Sequence, residues 1–218
     1  MRAKWLSFDC YGTLIDWKKG IETNFEKYAK FKNDIGIDIF NSYVSLEARN
    51  EHNYSSYRNI LASTFLELSH KLGLSPTEED AISFSMSIGK WPPFNDTVQT
   101  LKYLGSIGVR RVILSNVDRD LLDETVRNAH LEVDGYVTAD EVGSYKPSPS
   151  HWLRMLKKFN IDNTDVIHVA GSIYHDIIPA SNLGFRTVWV NRYNDPAPAG
   201  IRLGHSVKSL SEVSKLLG

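Results

Sequence analysis

Phe8-Asp9-Cys10-Tyr11-Gly12-Thr13-Leu14 closes the first apolar run of the chain, and its reading decides the fold. The run itself, residues 3–9, is short, apolar and ends at a turn-forming glycine, the pattern of a buried strand that delivers Asp9 to its carboxyl edge. A carboxylate there has two readings. It caps the turn, or, held in line with an electrophilic carbon or phosphorus, it forms an ester that water later cleaves. Thr13 is placed either to orient Asp9 by a hydrogen bond or to cap the next helix. Cys10 has no evident activating partner and reads as a small buried hydrophobe.

Outward from this segment the pattern changes character. Over residues 16–90 apolar side chains recur at helical spacing, as in Phe25, Tyr28, Ala29 and again in Ile60, Leu61, Thr64, Phe65, Leu68, Leu72. Gly73 is a helix stop, with Ser75 or Thr77 as the cap of the helix that follows. Trp91-Pro92-Pro93 closes the helical stretch, because consecutive prolines force an extended connection. Beyond it strands and helices alternate: helices over 96–107, 119–129, 150–159 and 175–183, strands over 111–114, 135–138, 166–170 and 187–190, and a terminal amphipathic helix over 210–217. Repeated units of this length predict an α/β fold, a parallel sheet with helices on both faces. The division is a core domain of residues 1–15 and 92–218 and an inserted α-helical cap domain of residues 16–91.

Composition narrows the partners. With 218 residues, 42% hydrophobic and 11% aromatic, the chain can bury a core without staples. Its 25 Lys and Arg nearly cancel 26 Asp and Glu, so no broad basic field recruits nucleic acid or an anionic membrane. Cys10 is the sole cysteine, which rules out an internal disulfide and a cysteine-cluster metal site. Met1-Arg2-Ala3-Lys4 begins no signal-peptide stretch and no apolar run approaches the roughly 20 residues of a membrane span, so the expected location is cytoplasmic and the partner a small molecule.

Ligands of such sheets collect at the carboxyl ends of the strands, and the polar residues of interest fall there. Ser115 and Asn116 end a strand just before a helix, where free backbone N–H groups favour an anion, while Asn116 or Asp118 also serves as an ordinary cap. Lys146 is stiffened by Pro147 and Pro149 and positioned to neutralise crowded carboxylates. Ser172 through Asp176 follow another strand. Asp176 is a helix cap, a metal ligand or the base that activates water, and His175 beside it is expected to face the other way. Tyr11, Trp17, Trp152 and Tyr174 offer an aromatic wall for a small substrate.

Asp9 with Thr13, Ser115-Asn116, Lys146-Pro147 and Ser172 to Asp176, in this order and around this helical insert, resemble the haloacid dehalogenase superfamily, with its Rossmann-like core and helical cap. The resemblance is closest to the L-2-haloacid dehalogenase branch. It implies that Asp9 is the nucleophile, that Thr13, Lys146 and Asp176 complete the catalytic set, and that Tyr11, Ser115, Asn116, Arg49, Trp152 and Ser172 bind substrate. The superfamily's phosphatases have Asp at the position of Tyr11 and an acidic residue at that of Gly171. A halide leaves without a proton, so the implied reaction is removal of halogen from a small 2-halocarboxylate with no cofactor. The alternative is a magnesium-dependent phosphatase, with the metal held by Asp9, the Tyr11 carbonyl and Asp176. Ile173 and Trp152 replace the branch's Asn and Tyr and motivate a third reading, a binding protein without turnover. The resemblance further implies a homodimer, and a cap arginine, Arg49 or Arg58, facing the halide and carboxylate.

Overall fold

The structure is a computed structural model that describes residues 4–31, 36–198 and 203–217. The start of the first predicted strand, at Ala3, lies outside them. Strand β1 spans Trp5–Phe8 and ends one residue before Asp9. Four helices follow: α1 (Trp17–Tyr28), α2 (Ile39–Asn50), α3 (Tyr57–Lys71) and α4 (Glu78–Ser87). Each begins on a polar residue whose side chain accepts a backbone N–H of the first turn, namely Asp16, Asp38, Ser56 and Thr77. Of the two expected caps for α4 the structure uses Thr77, in a reciprocal capping box with Asp80.

The alternating half then runs α5 (Thr97–Ser106), β2 (Arg110–Ser115), α6 (Arg119–Asn128), β3 (Gly135–Thr138), α7 (Ala139–Val142), α8 (Ser150–Phe159), β4 (Val166–Ala170), α9 (Ile178–Asn182), β5 (Arg186–Val190), β6 (His205–Val207) and α10 (Leu210–Leu217). The predicted elements fall within a few residues of these bounds, apart from β6 and the start of the 175–183 helix. β6 has only three residues, two of them exposed, too few for a periodic signal; pairing with β5 makes it a strand.

All strands are parallel in one six-stranded sheet of order β3-β2-β1-β4-β5-β6. The order reverses at β1, which lies between β2 and β4 with Phe8 level with Ile113 and Val169. Asp9, the β2 end at Ser115 and Gly171 just beyond the β4 end therefore converge at the switch point. Side chains alternate across the sheet: Val112 and Leu114 of β2 pack with Val137, Trp152, Met155 and Val166 on one face, while Ile113 joins Leu6, Phe8, Ile167 and Val169 on the other.

The four-helix insert has its own aromatic centre, where Phe65 stacks on Phe84 at 4.7 Å and meets Phe25 edge-on at 5.4 Å. The two connections joining it to the sheet run side by side. Ile15 bridges antiparallel to Pro93, Asp16 N donates to Pro92 O at 2.8 Å and Phe94 N donates to Leu14 O at 3.0 Å. Among the described residues no helix is long and apolar enough to cross a membrane.

Candidate active site

Asp9 leaves β1 into a turn that only glycine makes easily: Gly12 has φ +89°, and Leu14 N and Ile15 N both donate to Cys10 O. The turn folds Thr13 back so that its hydroxyl donates to Asp9 Oδ2 at 2.7 Å while accepting Gly171 N–H at 2.8 Å. Thr13 thus orients the carboxylate. Arg192, just after β5, clamps the same turn from below: Nε and Nη2 donate to Thr13 O at 2.9 and 2.7 Å, and Nη1 pairs with Asp96 at 3.0 Å.

The other Asp9 oxygen meets Lys146. Lys146 is 2% exposed, and its ammonium donates to Asp9 Oδ1 at 2.8 Å, Asp176 Oδ1 at 2.7 Å and Leu114 O at 3.0 Å. These three bonds use all three N–H donors of a lysine. The backbone that presents Lys146 is fixed by Asn116, whose Oδ1 accepts Lys146 N–H at 2.7 Å. The Lys146-Pro147 peptide is cis. Asp176 Oδ1 accepts a second bond, from His168 Nε2 at 3.0 Å, and the other ring nitrogen of His168 pairs with Ser7 Oγ at 2.9 Å. Both bonds fall on Oδ1, and Asp176 lines the pocket.

Electrostatics separates the two carboxyls. Burial raises Asp9 above the usual carboxylate range, with Lys146 opposing and the charge on Asp176 adding to the rise. Burial also acts on Asp176, but there Lys146 and His168 prevail and bring it down to about 2. Lys146 itself is pushed up by its two carboxylates against the cost of burial, so it stays charged.

A small pocket of about 90 Å³ lies over this triad, floored by Asp9, Ser115, Asn116, Lys146, Ser172 and Asp176 and roofed by the helical insert. Asp176 does not start a regular helix as expected. It sits in a wide π-helical turn, Ile173–Ile177, opened by Ser172, whose Oγ accepts His175 N–H at 3.1 Å. The wide turn lets His175 and Asp176 both face the pocket, against the expectation that adjacent residues diverge. Tyr11 lines it too, but its hydroxyl turns away to Thr125 Oγ1 at 2.6 Å. Thr125 donates to Leu121 O at 3.0 Å, so Tyr11 is the donor in that pair, and burial pushes its phenol well above the ordinary range.

Several expectations change. Arg49 does not face the pocket; it pairs with Glu67 on the outer side of the insert. Arg58 pairs with Asp120, and its backbone N–H goes to Asp118 Oδ2 at 3.1 Å, so it clasps the insert to α6 and Asp118 is no ordinary cap. Trp152 is fully buried against the sheet, edge-on to His168 at 5.3 Å, with no face on the pocket. Tyr174 is exposed at the rim of the neighbouring cleft, whereas Trp17 does line the pocket. Cys10 is buried in the core and its thiol is raised by burial, in keeping with a structural role.

The donor set does not suit magnesium. A Cβ at Gly171 would lie 2.7 Å from the Gly12 carbonyl oxygen, so an acidic side chain there displaces backbone, and Asp9 and Asp176 each give an oxygen to Lys146. Among the described residues no group of three or more His, Cys, Asp or Glu could hold a metal.

His168, Arg192, Glu47 and Glu51 are the site residues that sequence reasoning missed. His168 looks like any member of an apolar strand. The glutamates belong to a stripe, Val44, Glu47, Ala48 and Glu51, whose i, i+3, i+4, i+7 spacing was the available signal.

A switch point of a parallel sheet, carrying an ion-paired carboxylate under an inserted helical roof, is the architecture of a capped α/β hydrolase. The chain belongs to the haloacid dehalogenase-like hydrolases, whose family model matches residues 3–184. It is similar to (S)-2-haloacid dehalogenase 1 of Pseudomonas sp. (strain CBS-3), 28% identical over 223 residues that cover 96% of this chain and 94% of the relative. Haloacetate dehalogenase H-2 of Moraxella sp. (strain B) is 23% identical over 193 residues, 86% of this chain and 85% of the relative. In fold it resembles the L-2-haloacid dehalogenase of Xanthobacter autotrophicus solved with chloropropionic acid covalently bound, with a TM-score of 0.84 at 20% identity over 99% of this chain and 98% of the other.

Proposed function

We propose that the protein is a carbon–halogen hydrolase of the 2-haloacid dehalogenase kind, acting through a covalent ester at Asp9 on a small 2-halocarboxylate or a derivative of one. The orientation of Tyr11 carries this reading: two residues beyond Asp9 stands a phenol bonded to Thr125 in place of a carboxylic acid beside the nucleophile, which suits a leaving group that needs no proton. An Asp9 oxygen bonds to the halogen-bearing carbon, and the halide departs with its electron pair. Burial favours the step by stripping water from the nucleophile, and Thr13 and Lys146 fix its angle.

Water then attacks the ester carbonyl of Asp9. Asp176 takes its proton on Oδ2, and Lys146 stabilises the negative charge that develops on the carbonyl oxygen. Collapse returns Asp9 carrying one oxygen from water and releases the 2-hydroxy product. The reading invokes no cofactor.

Single turnover in oxygen-18 water tests it. Label is expected first in Asp9 and only later in product, with halide release indifferent to chelator. Asp9→Asn is expected to abolish halide release and the adduct; turnover surviving that change, or chelator-sensitive phosphate release in its place, would sink the proposal.

A further inference from the structure

The halide chemistry above makes no use of two carboxyls that face Asp9 from the roof. Glu47, 3% exposed, accepts the Tyr57 hydroxyl at 3.0 Å, and Glu51 lies one turn further along α2, beside Asn116 and across from His175 at 3.9 Å. Both line the pocket over the triad. Opposite charge is scarce there. Lys146 has all three donors engaged, and Arg49 and Arg58 are bound to Glu67 and Asp120 outside it. His175 is held by Ser172 and beside Glu51, and burial disfavours its charged form. Among the described residues lining the pocket, no side chain offers an unengaged positive charge to a substrate carboxylate. Such a group would meet Glu51 in a partly enclosed space, where like charges repel more strongly than in bulk water.

We infer that the substrate carries hydrogen-bond donors, not a free carboxylate, beside its reacting carbon: a small 2-halocarboxamide whose N–H groups are received by Glu47 and Glu51. The remaining wall fits this size and polarity. Val44, Ala48 and Trp17 are apolar and enclose the alkyl part, and the glutamates supply acceptors at one end. Atoms balance as before: Asp9 displaces halide from carbon, the amide is untouched, and ester hydrolysis yields the 2-hydroxy amide with the water proton on Asp176. The inference rests on the halide-displacement reading and specifies only what the substrate bears next to that carbon.

The test compares 2-chloropropionamide with 2-chloropropionate at pH 8 on the full chain and on Glu47→Gln and Glu51→Gln, reading halide release and the mass of an Asp9 adduct in quenched samples. Expected is a kcat/KM for the amide at least roughly tenfold above that for the carboxylate, shrinking several-fold in Glu51→Gln as the repulsion is removed. A melting curve shows that each variant is folded, and Glu51→Gln is the deciding one. Preference for the carboxylate in the unaltered protein, or an amide preference that folded Glu51→Gln leaves unchanged, overturns the inference and leaves the halide-displacement reading standing. No halide and no adduct from both compounds overturns the two together.

Discussion

Lys146 sits between two buried carboxylates that would otherwise face each other unpaired. Its positive charge is what lets Asp9 and Asp176 ionise side by side, and its contact with Leu114 O ties the ammonium to the sheet. Removing it leaves two buried like charges unpaired, a loss of about 3–5 kcal/mol for a broken buried pair. Lys146→Met is therefore expected to lower the urea midpoint markedly and to abolish the Asp9 adduct, whereas Lys146→Arg, with a fork that cannot replace a compact ammonium, is expected to keep part of the stability and little of the activity. Denaturant titration with adduct mass spectrometry reads both. Asp9, Ser115, Asn116 and Asp176 were legible in the sequence because each lies at or just beyond a strand end, and strand ends in a parallel sheet have one destination; Lys146, beyond the short α7, was legible from the prolines that stiffen its loop. Glu47 and Arg49 show why the roof was not. Two positions apart on α2, they point to opposite sides of the helix, and which side meets the sheet is decided by packing against α1 and α3.

At the scale of elements, α8 illustrates how one residue was assigned to the wrong layer. Trp152 lies on the face of α8 that packs on β2 and β4, so its ring fills the sheet–helix interface beneath the strand ends. The family resemblance, which puts a Tyr at this position, placed it near the site, but α8 starts at Ser150, four residues after Lys146, and by Trp152 already packs on the sheet. Trp152→Ala is expected to cost about 3–5 kcal/mol through lost burial and an unfilled cavity. Its effect on catalysis should be indirect, through His168, which its ring touches edge-on. Calorimetric melting alongside halide release separates the two effects. The alternation of strands and helices was legible throughout, because buried parallel strands leave short apolar runs and their helices leave a 3.6-residue period. The π-helical turn at Ile173–Ile177 left no such trace: its width is set by Ser172 and the bonds on Asp176, not by periodicity.

The whole molecule concentrates its unusual ionisation in one place, and the consequence is a stability that depends on pH from two directions. Asp176, lowered to about 2, stabilises the fold above its ordinary value of 3.8, and that contribution, about 2 kcal/mol, is lost as pH falls through 2. Glu51 acts in the opposite sense. Burial raises it to about 7, with Lys146 and Asn116 opposing, so folding disfavours its charge and stability falls as pH rises from about 4.5 through 7. Glu47 and His175 face it and Lys146 tempers it; burial keeps Glu47 well above its ordinary value, which adds to the trend, while burial disfavours the charged form of His175, which works against it. Glu51→Gln is expected to raise the urea midpoint at pH 8 more than at pH 5, relative to the unaltered protein, and to leave the acid limb unchanged.

The paired connections at Ile15 and Pro93 bear on how this architecture can be altered. Because the chain departs from the sheet and returns to it at neighbouring points, hydrogen-bonded to each other, the helical roof is covalently joined to the core at a single spot, and its other ties, such as Arg58 to α6, are non-covalent. Excising residues 16–91 and sealing the gap with a tight turn would leave every strand with its partners. The roof is in that sense an interchangeable part: another insert grafted between the same two anchor points would present a new set of acceptors or cations to the same aspartate, so that selectivity and reactivity can be engineered on separate pieces of one polypeptide.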